Sequence, residues 1–142
     1  MFRFKFFLAL FWMLTLASFS LGAESLPSWT IDRTHEGLVA RELRINRTWP
    51  HKDMAYRLQA QGDLQGAITE LSAYLALDPV DDNMRWQLFL WLMEADELKA
   101  AEAVVSNLIV KYPDEGRLYI HRAQVRRALG LGEEAGLDYA QA

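Results

Sequence analysis

The sequence predicts an all-α fold, an α-solenoid of antiparallel helix pairs with two full repeats and a partial third. Three observations carry this. Pro79 and Pro113 are 34 residues apart, Ala67, Ala101 and Ala135 keep the same interval, and Gly62, Asp96 and Gly130 open turns in step with them. Between these marks, apolar residues recur at three- and four-residue spacing, the pattern of a helix with one buried face. A single such helix cannot cover its stripe, and repetition supplies the neighbours.

The clearest element is Gly62–Pro79. Asp63 is placed to cap a helix, and Leu64, Ala67, Ile68, Leu71 and Leu75 form its apolar stripe. Asp78-Pro79 should end it, because proline lacks an N–H and disfavours a helical residue before it. Upstream, Thr48 with Pro50 in the first turn predicts a separate helix start, running through Met54, Ala55 and Leu58 to the break at Gly62. Downstream, a helix from near Asp82 carries Met84, Leu88, Phe89, Leu92 and Met93, with Trp86, Leu90 and Trp91 on its other sides. A helix apolar nearly all round is buried between neighbours. Its partner is Glu97–Lys111, closed by Tyr112-Pro113. A third unit begins with Leu118, Ile120, Ala123 and Val125, turns at Gly130–Gly132, and enters a last helix near Glu133. The interval places the next proline position at 147, so this helix reaches Ala142 before its full length, leaving Leu137 and Tyr139 on an open face.

Three regions follow. Residues 1–23 are expected to be a signal peptide: Arg3 and Lys5, an apolar run over Phe6–Leu16, then Ala17, Ser18, Ser20, Gly22 and Ala23. Residues 24–47 are an N-terminal extension with a weakly amphipathic capping helix over Glu36–Arg47. Its Arg33, Arg41, Arg44 and Arg47 are offset by Asp32, Glu36 and Glu42, which predicts a solvated face. Residues 48–142 are the repeat domain.

Composition narrows the function classes. The net charge is −4, and removal of the first 23 residues leaves 13 basic against 19 acidic residues, or −6. That balance argues against nucleic acid as a partner, which wants a basic face. The absence of cysteine excludes disulfides, thiolate zinc sites and cysteine nucleophiles. His35, His51 and His121 show no metal-ligand spacing, no glycine run cradles phosphate, and Glu133-Glu134 are favourable first-turn acids rather than a catalytic pair. The expectation is a non-catalytic chain with no cofactor and no metal.

The block from roughly Thr48 to Ala142, about two thirds of the chain, resembles the tetratricopeptide repeat family. The family pattern is matched by Gly62-Asp63, Ala67, Leu71 and Asp78-Pro79, by Leu88, Leu92, Ala101, Val105 and Pro113, and by Tyr119, Ala123, Gly130, Ala135 and Tyr139. His51, Arg85 and Tyr119 stand where the family usually has tryptophan, and Phe89 where it favours a small residue. The resemblance implies that the first helix of each unit lines a groove for a peptide or protein partner. Carried over, the lining is Trp49, Lys52 and Tyr56, then Asn83, Trp86, Leu90 and Met93, then Arg117, Ile120, Gln124 and Arg127. Lys52 agrees with the carboxylate clamp of some members, while Tyr56 and Leu90 replace its asparagines. Aromatic anchors suit an apolar peptide or stacked sugar rings. Trp86 and Leu90 have a second reading, as packing between units. The order of leader, short helix and repeats is similar to the periplasmic region of outer-membrane proteins for exopolysaccharide export or phage adsorption. The implied function is an exported interaction module of the cell envelope, in the periplasm if bacterial, with polysaccharide as the alternative ligand and membrane contact only through the leader or a larger assembly.

Overall fold

The structure, a computed structural model, describes residues 33–142. The expected signal peptide, residues 1–23, and residues 24–32 of the extension lie outside the described residues. Among the described residues six helices follow one another: α1 Leu38–Ala60, α2 Leu64–Leu77, α3 Asp82–Glu94, α4 Leu98–Lys111, α5 Gly116–Ala128 and α6 Gly132–Gln141. The described residues contain no strand, and the helices pack in adjacent pairs as an all-α, solenoid-like array. Among the described residues no helix is long and apolar enough to cross a membrane.

The 34-residue interval governs the helix boundaries themselves. α1, α3 and α5 end at 60, 94 and 128, and α2, α4 and α6 start at 64, 98 and 132. The reason is one turn used three times. Gly62, Asp96 and Gly130 have φ of 83°, 59° and 82°, the left-handed conformation that closes a helix. After each, the next residue donates back five positions: Asp63 N–H to Leu58 O at 2.9 Å, Glu97 to Leu92 at 2.8 Å, Leu131 to Arg126 at 2.8 Å. Glycine takes this φ without a Cβ clash, and Asp96 is among the few other residue types that tolerate it. The opposite ends of the pairs repeat too. Asp78 and Tyr112, each before a proline, have φ/ψ of −133°/72° and −127°/68°, outside the α region as the following ring demands. Asp63 caps α2 by accepting from Gly66 N–H at 2.9 Å, and Asp81 caps α3 through Met84 N–H at 3.2 Å.

The core runs along the array. Ala67 and Ala101 are fully buried and Ala135 nearly so. The corresponding row on the first helices is Ala55, Phe89 and Ala123, also buried. Small residues there allow close approach of paired helices; at Phe89 the ring is accommodated by stacking on Trp86 at 4.9 Å between centroids. α3 buries six of its residues, more than any other helix, as expected of an apolar helix with neighbours on several sides.

Two expectations are corrected. The start at Thr48 is absent: α1 is one helix of 23 residues with Pro50 inside it. Pro50 removes one backbone hydrogen bond, to the Asn46 carbonyl, but Thr48 before it and Ala55 after it are both buried, so packing on both sides of the proline holds the helix together. The arginines before and within α1 are also not all solvated. Arg44 donates to both Glu36 oxygens, at 2.7 and 2.9 Å, and Arg33 reaches Asp78 at 2.6 Å.

Candidate functional site

The expected lining residues fall into rows of equivalent positions on α1, α3 and α5. Trp49, Asn83 and Arg117 make one row, Lys52, Trp86 and Ile120 a second, Tyr56, Leu90 and Gln124 a third. Met93 and Arg127 continue a fourth. The structure treats the three helices differently. On α1, Trp49 is 59% exposed and Tyr56 39%. On α5, Arg117, Ile120, Gln124 and Arg127 are exposed. On α3, Asn83, Leu90 and Met93 are half-buried and Trp86 is only 6% exposed.

Trp86 is therefore core. It stacks on Phe89, and His121 of α5 meets it edge-on at 4.8 Å and Phe89 at 5.7 Å. The packing reading describes these surroundings, because an indole covered by the next first helix has no face left for a ligand. Tyr56 plays the lesser version of that part between α1 and α3. Its ring meets Trp91 edge-on at 5.5 Å, and its hydroxyl donates to Met84 Sδ at 3.8 Å. Partial burial raises the Tyr56 phenol above its ordinary pKa. Lys52 is half-buried with its ammonium 5.8 Å from the centre of the Tyr74 ring, a cation–π contact with α2. Arg117 pairs with Glu115 at 2.9 Å. The exposed remainder is an aromatic end on α1 and a basic, polar end on α5. Its charged members, Arg117 and Arg127, are both cations, on a chain whose net charge is −4.

Charged groups that sequence reasoning passed over are buried at the corners. Asp78 and Asp81 between α2 and α3, and Asp82 in the first turn of α3, are each under 10% exposed. Asp78 takes Arg33 and, at 3.5 Å, Arg44. Asp81 accepts from the Tyr74 hydroxyl at 2.6 Å. Asp82 accepts from Arg85 at 2.9 Å, from the Tyr112 hydroxyl at 2.7 Å, and from Lys111. Burial, and then the bond to Asp81, push the Tyr74 phenol far above its usual value; burial likewise raises Tyr112, and the bond to Asp82 raises Lys111. Asp138 on α6 accepts from Arg122 at 2.6 Å and Arg126 at 2.9 Å, and Arg126 also reaches Glu102 on α4 at 2.7 Å. A signal for this last site was present: Arg122 and Arg126 are four apart on one helix face, and Asp138 is the one acid of α6 beyond its first turn. These carboxylates are fully engaged and act as ties between helices, so the candidate site remains the first-helix face.

No family model matches the chain, and a search of curated proteins found no match.

Proposed function

We propose that this chain is an exported, tetratricopeptide-like interaction module of the cell envelope, without chemistry of its own, whose first-helix face holds a protein or peptide partner. The observation that carries the reading is the 34-residue interval shared by helix ends, left-handed turns and buried alanines. That is the spacing of tetratricopeptide units, whose repeated helices present the same positions in rows. The exposed members of those rows, Trp49, Tyr56, Arg117, Ile120, Gln124 and Arg127, are the side chains offered to a partner. The export part rests on the residue pattern of Met1–Ala23. A second reading, polysaccharide binding, alone or as the periplasmic segment of a larger outer-membrane exporter or phage receptor, is favoured by the exposed Trp49, since sugar rings stack on an open indole.

A photoreactive residue placed in living cells at 49 or 124 tests the face, with 65 and 99 on the second helices as controls. The proposal expects crosslinks to a protein from 49 and 124 only. Equal crosslinking from all four positions sinks the face as the site. Glycan capture by the purified protein, lost on Trp49→Ala and without any protein crosslink, would favour the second reading. Mass spectrometry of the exported chain should find its N-terminus at or near Glu24; Met1 retained on a cytoplasmic protein overturns export.

A further inference from the structure

Among the described helices, the outer faces of α1 and α6 are equivalent in register to faces that are covered elsewhere in the array. On the outer side of α1, Met54 is 45% exposed, whereas its equivalent Leu88 is 8% exposed. Arg57 is exposed, whereas Trp91 and Val125 are buried. On the outer side of α6, Tyr139 is 43% exposed, whereas Leu71 and Val105 are fully buried. A Cβ added at Gly136 would meet nothing within 4 Å; its equivalents are the buried Ile68 and Glu102, which bonds Arg126.

What covers these faces inside the array is visible. The second helix of each unit receives the first helix of the next, antiparallel, as α4 receives α5 through Glu102–Arg126 and Ser106–Arg122. Shifted by one interval, the same pairing sets Gly136 against Leu58 and Ala140 against Met54. The first turn of α6 then comes level with the last turn of α1. The former carries Glu133 and Glu134, the latter Arg57, which pairs with Asp53 one turn earlier at 2.8 Å. One chain thus presents, on its first and last described helices, the two positions that pair in the joint between units.

We propose that copies of this chain stack head to tail, the outer face of α6 in one copy receiving the outer face of α1 in the next. The joint repeats the one between units, so it is heterologous, and a heterologous joint that does not close on itself adds copies in a line.

Sedimentation equilibrium of the protein as exported tests this, with a front variant, Met54→Glu, and a back variant, Tyr139→Glu. Both sites are exposed, and circular dichroism checks that helicity is kept. If either misfolds, Arg57→Glu and Gly136→Arg replace them. The wild type should rise in average mass with concentration past the dimer. Each variant alone should lose growth beyond a monomer, and an equal mixture of the two should form a species of two chains and no larger. A wild type of single-chain mass at millimolar concentration overturns the proposal. So does a front variant that associates like the wild type, which would mean back-to-back pairing, and so does a mixture that stays monomeric.

Discussion

Replacing Ala101 by leucine puts three further carbon atoms where no surface is exposed. α4 is packed between α3 and α5, so neither side can yield without disturbing a second interface. Overpacking of this kind costs about 1–3 kcal/mol. At roughly 2 cal/mol/K of unfolding entropy per residue, each kcal/mol lowers the melting midpoint by about 4 °C in a domain on the order of 100 residues. Ala101→Leu should therefore lower it by about 4–13 °C. Ala135, its equivalent on α6, has neighbours on one side, and that short helix can shift outward, so Ala135→Leu should sit near ~1 kcal/mol. Lys99→Leu, on the exposed side of α4, should stay within about 0.5 kcal/mol. Thermal and urea unfolding followed by far-ultraviolet circular dichroism measures all three. Equal shifts for Ala101→Leu and Lys99→Leu would refute the register, and a larger shift at Ala135 than at Ala101 would refute the argument from neighbours.

Trp86→Ala should cost about 3–5 kcal/mol, the range for a large core aromatic, with loss of the cooperative transition in mild urea; an unchanged midpoint would mean that the indole is not core. Asp138→Ala leaves Arg122 and Arg126 without their shared carboxylate. Both arginines keep some access to water, so the expected cost is near the lower end of about 3–5 kcal/mol, and hydrogen exchange should show Leu137–Ala142 losing protection while Leu88–Met93 keeps it. Stability should fall as pH rises above about 10, because the folded-state pKa values of Tyr74, Tyr112 and Lys111 are raised and the unfolded chain gives up those protons first. Tyr74→Phe should reduce that alkaline loss in a pH series of urea midpoints; an identical slope in the variant would remove Tyr74 as a cause. At the acid end, the bond from Arg44 holds Glu36 below its ordinary value, so the Glu36–Arg44 contribution is present above about pH 4.5 and is lost as pH falls through the lowered value. Glu36→Gln should abolish that part of the acid dependence.

What the sequence by itself determined is local. A helix end closed by a left-handed residue is decided by the few residues around Gly62, Asp96 or Gly130, and a stop before proline by Asp78-Pro79 or Tyr112-Pro113. Those short-range rules, met again every 34 residues, made the helix pairs, the buried alanines and the covered central helix legible. Tertiary structure decided whatever depends on a distant partner. Pro50 reads as a helix start until burial on both sides carries α1 through it. Trp86 reads equally as anchor or core until His121, 35 residues on, closes over it. Arg33 and Arg44 read as solvated until Asp78 is brought beside them. Asp138 reads as one more surface acid until the hairpin of α5 and α6 folds it onto Arg122 and Arg126. In each case the side chain is compatible with water or with the interior. The free energy that selects between them comes from groups that only the folded chain places within reach.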